Sequence, residues 1–201
     1  FKRSALEVLR QPLEDRNVTI SRSKFTVSFP CSFMMIASMN PCPCGYYNHP
    51  EKDCVCGSGI VQKYLNKISG PLMDRIDLHV EVTPVPFKDI SSDMEEENSA
   101  TIQARVIKAR EIQLERYKDM GIYSNAQMTT KMQTQYCEIS EVAKKLLNRA
   151  MEKLNLSARA YNRILKVART IADLNGAENI QPEHIAEAIQ YRSLDRENWG
   201  G

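Results

Sequence analysis

Four cysteines in one short stretch are the residues of this chain best suited to chemistry. They form two C-x-C pairs with nine residues between them: Cys42, Cys44, Cys54 and Cys56. Four thiolates can surround one tetrahedral zinc ion, although structural zinc sites more often use C-x₂-C pairs. A redox pair or plain turn cysteines are the alternatives, and His49 could replace one thiolate. Four protein ligands leave zinc no open position, so its role would be structural.

A lone arginine between two carboxylates is the second candidate. Arg75 stands between Asp74 and Asp77, after a turn signal at Gly70-Pro71 and before a predicted strand. Such an arginine could form a local salt bridge. Its planar donors could equally reach a neighbour's phosphate and stabilise the charge that develops during phosphoryl transfer.

A third candidate lies at a helix start. Ser157 is predicted to cap a helix whose second residue is Arg159, and the unpaired backbone donors there favour an anion. Arg159, Arg163 and Lys166 recur at helical spacing opposite the apolar stripe. Taken alone, this pattern is more typical of an ordinary solvated face.

Two segments that alternate apolar and polar residues, 18–21 and 25–29, predict a β-hairpin with a basic tip. Arg22 and Lys24 lie at that tip. Such residues are usually solvated, but Lys and Arg in this position can also bind backbone phosphates.

The apolar run 33–37 predicts a strand buried on both faces of a parallel sheet. Asn40 follows its carboxyl end, where ligands bind in open α/β sheets, although Asn40 could merely begin the turn before Pro41. Strict alternation over 76–82 predicts another strand, with His79 as a surface histidine.

The chain divides at an acidic segment. Strand patterns are confined to residues 1–90, residues 91–98 are predicted to be a linker, and residues 99–201 show helical patterns only. Ser99, Ser140 and Ser157 are predicted to cap helices, the first with Ile102, Val106 and Ala109 on one face, and a last helix is predicted to begin at Pro182. Residues 120–136 are predicted to be irregular. The predicted fold class is therefore α/β plus all-α.

The overall charge favours no class of partner, since 27 basic residues face 25 acidic ones. No apolar run approaches the roughly 20 residues of a transmembrane helix, and the first residues lack the apolar stretch of a signal peptide. We expect a cytoplasmic protein that does not contact membranes.

Four segments together resemble the magnesium-chelatase-like AAA+ ATPases of the YifB/ComM type. They are EVLRQPLE at 7–14, MNPCPCG at 39–45, SGPLMDRID at 69–77 and LSARAY at 156–161. The resemblance runs from Phe1 to about Arg196. It implies that residues 1–90 are the C-terminal part of a AAA+ α/β core, with parallel sheet strands, a β-hairpin and a Cys-rich loop, and that a helical lid follows.

The resemblance also implies roles for single residues. Asn40 corresponds to sensor 1, which positions the attacking water near the γ-phosphate. Arg75 corresponds to the arginine finger, which acts on ATP held by the adjacent subunit and so implies a homo-oligomeric ring, a hexamer. Arg159 corresponds to sensor 2. Arg22 and Lys24 fall on the pre-sensor-1 hairpin, which related helicases point toward DNA.

The function implied is that of a DNA branch-migration helicase in recombination and transformation. Two alternatives stay open: a zinc-stapled interaction module without turnover, and a chelatase-type ATPase subunit for magnesium insertion into porphyrin. No G-x-x-x-x-G-K-[ST] motif occurs in the chain, and no acidic Walker B strand precedes Phe1. We therefore expect ATP and Mg²⁺ to bind only in a longer protein, and this piece alone to be inactive.

Overall fold

The structure is a computed structural model that describes residues 1–57, 59–82, 84–85, 97–192 and 194. The described residues form two compact units, one within Phe1–Ile76 and the other within Asp77–Leu194. Of the predicted linker 91–98, only Glu97 and Asn98 belong to the described residues; 91–96 lie outside them, as do 193 and 195–201 of the predicted lid. The predicted domain limits stay a prediction.

The first unit contains short helices and one hairpin. Its elements are α1 (Arg3–Val8), α2 (Arg10–Asp15), β1 (Asn17–Arg22), β2 (Phe25–Pro30), α3 (Ile60–Leu65) and α4 (Gly70–Met73). The proline at position 12 lies inside a helix, not after one. It lies in the first turn of α2, where a backbone N–H has no partner within the helix and its absence costs little.

The predicted hairpin is confirmed. β1 and β2 pair antiparallel with Arg22 opposite Phe25, so that Ser23 and Lys24 form the turn. Arg22 and Lys24 are both exposed at this tip.

The two faces of the hairpin differ in chemistry. One face carries two cross-strand hydroxyl pairs, Thr19 with Ser28 at 2.8 Å and Ser21 with Thr26 at 3.0 Å between the oxygens. The other face is apolar and largely exposed, with the side chains of Val18, Ile20, Phe25, Val27 and Phe29. Period-two alternation, which predicted the strands, places these two sets on opposite faces.

The predicted parallel sheet is not present in the part of the chain that the structure describes. Its only sheet there is the hairpin, and neither 33–37 nor 76–82 forms a strand. A strand needs a neighbouring strand that continues its backbone hydrogen bonds as a ladder, and no described strand pairs with either segment. Met34 and Ile36 are accordingly 84% and 85% exposed.

His79 is also placed differently from its prediction. Its side chain is buried, not on a solvated strand face, and its backbone N–H donates to the Tyr191 carbonyl at 2.8 Å. The alternation that suggested a half-buried strand therefore misassigned the exposed side of this segment.

The second unit is helical. It contains α5 (Ser99–Arg116), a 3₁₀ turn (Asn125–Gln127), α6 (Thr130–Tyr136), α7 (Glu141–Lys153), α8 (Ala158–Leu174) and α9 (Pro182–Gln190). Helix α8 contacts α5, the 3₁₀ turn, α6 and α9, and α7 packs on α9. None of the described helices is long and apolar enough to cross a membrane.

Helix α8 follows its sequence closely. The Ser157 hydroxyl accepts a hydrogen bond from the Ala160 N–H at 3.2 Å, as predicted for an N-cap. The predicted apolar stripe is buried, and its members are Ala160, Ile164, Ala168 and Ile171. The helix ends at Leu174, and Gly176 follows with a φ of 66°, which favours glycine.

Other helix starts agree in part. Ser140 caps α7 and Pro182 opens α9, as predicted. Asn98, not Ser99, caps α5. Of the predicted apolar face of α5, Ala109 is buried, but Ile102 and Val106 are exposed.

The segment 120–136 is not irregular, since it contains both the 3₁₀ turn and α6. Thr129 caps α6 through its hydroxyl, which accepts from the Met132 N–H at 3.4 Å. The segment of α6 is mostly polar, so it lacks the apolar periodicity by which a helix is recognised in a sequence.

A buried carboxylate joins the helices of this unit. Asp173, with a fully buried side chain, accepts two hydrogen bonds from Arg116 at 2.7 and 2.5 Å. It also accepts from Arg169 Nε at 3.1 Å and from Asn125 Nδ2 at 2.8 Å. Burial raises the pKa of Tyr117 to about 12, so its phenol stays protonated and donates to Asn125 Oδ1 at 2.7 Å. The polar groups of this network are hydrogen-bonded to one another, as buried polar groups need to be.

Candidate functional site

Two tight turns bring the four cysteines together. Gly45, with a φ of 84°, closes the first turn by donating its N–H to the Cys42 carbonyl at 3.1 Å. Asn48, with a φ of 60°, lies in the second, where the His49 N–H donates to the Tyr46 carbonyl at 3.1 Å. The chain thereby reverses between the two C-x-C pairs.

The four sulfur atoms lie within 4.8 Å of one another. The measured separations are 3.3 Å from Cys42 to Cys44, 3.7 Å from Cys42 to Cys54, and 3.5 Å from Cys44 to Cys54. Ligands of a tetrahedral zinc, with Zn–S bonds of about 2.3 Å, lie about 3.8 Å apart. All six cysteines are free. These four could therefore bind a metal such as zinc.

The thiols are not equivalent. The backbone N–H of Tyr46 donates to Cys44 and, against the opposing effect of burial, lowers the pKa of that thiol to about 6. The pKa of Cys54 rises to about 12, because burial and the neighbouring thiols outweigh the N–H of Cys56. The lowered pKa of Cys44 favours its thiolate, the form that binds metal.

His49 does not join this cluster. The metal-binding group found among the described residues consists of the four cysteines alone. The Nδ1 atom of His49 instead accepts the N–H of Glu51 at 3.0 Å, and its ring packs edge-on against Tyr46.

Arg75 is held within its own unit. Its guanidinium forms an ion pair with Glu14 at 2.5 Å and donates to the Pro71 carbonyl at 2.5 Å, and the side chain is 10% exposed. Of the two carboxylates that flank it in the sequence, Asp77 pairs with Arg163. Sequence reasoning missed Glu14 as the partner, because nothing in the local pattern links positions so far apart.

Asn40 is exposed and lies two residues before the first cysteine of the cluster. Arg159 is the second residue of α8 and is also exposed, but it belongs to the other unit. The structure therefore brings the four cysteines together, and describes Asn40 and Arg75 in one unit and Arg159 in the other.

The basic face of α8 is not simply solvated. Arg163 is paired with Asp77, and Lys166 donates to the Ala126 carbonyl at 3.2 Å. Both are partly buried. Two of the three cations on this face thus hold neighbouring segments of the second unit.

Two family models match the chain. Residues 1–90 match magnesium chelatase, subunit ChlI, and residues 96–192 match magnesium chelatase, subunit ChlI C-terminal.

Curated relatives give the same result. The competence protein ComM of Haemophilus influenzae is 40% identical over 197 residues, and the uncharacterized protein YifB of Salmonella typhimurium is 38% identical over 198 residues. The alignments cover 98% of this chain and 38% of each relative, so the chain spans well under half the length of these proteins. With both halves matched and relatives of the ComM and YifB type, the chain belongs to the magnesium chelatase ChlI-like family.

Proposed function

We propose that this chain is part of an ATP-dependent AAA+ motor that remodels DNA, a branch-migration helicase in recombination and transformation. The observation that carries the proposal is the match along both halves of the chain to a nucleotide-dependent family, together with a relative that is a competence protein. In the assembled ring, a hexamer, each chain would contribute residues to its own ATP and to that of a neighbour.

Arg75 is the residue proposed to act on the neighbour. Its planar guanidinium suits the charge that develops on a transferring phosphoryl group. In this structure the Arg75 guanidinium pairs with Glu14 and donates to the Pro71 carbonyl. To reach a phosphate it must leave Glu14, so the ion pair competes with the proposed role.

Asn40 and Arg159 are proposed to act on the chain's own nucleotide. Asn40 is exposed and can hydrogen-bond a water molecule, as sensor 1 would. Arg159 stands at the start of α8, where the helix dipole adds to its charge. Because the sequence contains no phosphate-binding loop, the residues that hold the phosphates and Mg²⁺ would come from the rest of a longer protein. This chain alone would be inactive.

The cysteine cluster is proposed to hold one structural zinc ion. The sulfur separations fit a tetrahedral ion, and four protein ligands would leave it no open position. Zinc would cross-link the loop that follows Asn40. It would take no part in reactions of the nucleotide.

Two other functions have support. The description of the matching family favours a chelatase-type ATPase subunit for magnesium insertion. The clustered thiols would also suit a zinc-stapled interaction module without turnover. Hydrolysis stimulated by DNA separates the proposed function from both.

Replacement of Arg75 tests the finger assignment. In the full-length protein, Arg75→Ala should reduce ATP turnover about a thousandfold, because the stabilising charge is lost, while nucleotide binding changes little. Turnover is measured by phosphate release and binding with a fluorescent ATP analogue. Arg149→Ala, at an exposed arginine of α7, is the control. Turnover by Arg75→Ala equal to that of the control would remove Arg75 from the mechanism.

A further inference from the structure

A surface groove in the first unit carries a cluster of cations that the proposed roles do not use. It has a volume of about 510 Å³, and it is lined by Arg3, Gly59, Gln62, Lys63, Asn66 and Lys67. None of these lining residues is acidic. The groove thus joins the start of α1 to the outer side of α3 and the residues that follow it.

Two exposed lysines line the groove. Lys63 lies in α3, and Lys67 lies in the turn just after it, where its N–H donates to the Tyr64 carbonyl at 3.2 Å. Leu65 is buried, so it faces the interior of the unit. Lys67 also lies over the ring of Tyr64, 5.1 Å from its centroid, which keeps the ammonium near the α3 segment.

The positive charge is only partly offset. Within the described residues, none of the ion pairs involves Arg3, Lys63 or Lys67. Hydrogen bonding by Ser69, with the charges of Arg10 and Arg3, keeps the pKa of Glu7 below its ordinary value. The Glu7 carboxylate already pairs with Arg10 at 3.1 Å, so its charge is shared between Arg10 and Arg3.

We propose that this groove binds the phosphate backbone of DNA, as a contact separate from the hairpin tip. Exposed Lys and Arg side chains that carry no ion pair bind phosphates by releasing counterions. The amides of Gln62 and Asn66, joined by a hydrogen bond of 3.0 Å, add polar groups beside the lysines. Three separate cations line the groove, which suits a backbone of repeated phosphates better than one compact phosphate group. The choice of DNA rests on the proposed function.

The test is DNA binding as a function of salt, measured by fluorescence anisotropy on the full-length protein. Lys63→Ala with Lys67→Ala should weaken binding roughly tenfold or more at about 0.1 M salt, and lower the slope of log K against log salt by about 2. Lys63→Arg with Lys67→Arg should retain wild-type binding. Lys145→Ala with Arg149→Ala is the matched control, because it removes two exposed cations at the same spacing from α7.

The outcomes separate this contact from its alternatives. Unchanged DNA affinity and salt slope in the alanine pair would overturn it. If the alanine pair instead loses affinity for a fluorescent ATP analogue or tripolyphosphate while its DNA binding is unchanged, the groove binds free phosphates and the proposal is wrong. If Arg22→Ala with Lys24→Ala loses DNA affinity and the groove variant does not, the groove contact is wrong while the proposed function stands. Failure of the wild-type protein to bind DNA removes both the groove and the proposed function.

Discussion

The Asp77–Leu194 unit buries a continuous cluster of apolar side chains around α8, whereas few apolar side chains of the Phe1–Ile76 unit are buried. In the second unit each helix packs on another, and the Asp173 network joins α5, the 3₁₀ turn and α8. In the first unit, the hairpin ladder pairs two strands and the four cysteines lie close together.

This difference bears on function, because the cysteines, Asn40 and Arg75 all belong to the unit with the smaller core. Their geometry cannot depend on extensive packing. It depends instead on turns, on the proposed metal and on single ion pairs such as that of Arg75 with Glu14. Apolar side chains of 33–37 and of the hairpin are exposed. Burial of these side chains against another protein surface would stabilise this unit.

The largest expected effect is loss of the metal. Elemental analysis of the wild-type protein should find about one zinc ion per chain. Cys42→Ser with Cys54→Ser should abolish that binding. Structural zinc sites contribute on the order of 10 kcal/mol at neutral pH, so the first unit should lose its protection against hydrogen exchange while α8 keeps its own. Cys31→Ser is the control. Equal protection with and without metal would contradict this dependence.

An intermediate effect is expected at the buried carboxylate of the second unit. Asp173→Ala leaves Arg116 and Arg169 without their shared partner and should reduce the free energy of unfolding by about 3–5 kcal/mol. Denaturant unfolding monitored by helical circular dichroism measures it. Glu152→Ala, at an exposed carboxylate, should change it by less than about 0.5 kcal/mol. A loss at Asp173 no larger than this would show that the network adds little.

The smallest effect is expected on the hairpin. Thr19→Ala removes one exposed cross-strand hydroxyl pair with Ser28, worth about 0.5 kcal/mol. Amide exchange in β1 should rise about twofold, with no change in α8. A large loss of stability across the first unit would mean that the hairpin, and not the cysteine cluster, organises it.

The same contrast explains what could be predicted from the sequence. Helix α8 was predictable because its cap and its stripe are local, with Ser157 and Ile164 in the same segment. Helix α6 was missed because it is polar. The cysteine cluster was predictable from spacing, but the pairing of Arg75 with Glu14 was not, since it joins distant positions.

The predicted strands at 33–37 and 76–82 failed for a related reason. Hydrophobic alternation records what a segment can bury, while strand formation also needs a hydrogen-bonding neighbour. Among the described residues, no strand pairs with either segment. The burial of His79 is a further case where the partner, here the Tyr191 carbonyl, lies far away in the sequence.

The most direct test of the proposed function is the rate of ATP hydrolysis by the full-length protein with and without branched DNA. A DNA-remodelling motor predicts that hydrolysis rises severalfold on adding DNA, and that Arg75→Ala removes the rise. Hydrolysis that is equal with and without DNA, in a protein shown to bind it, would contradict the account.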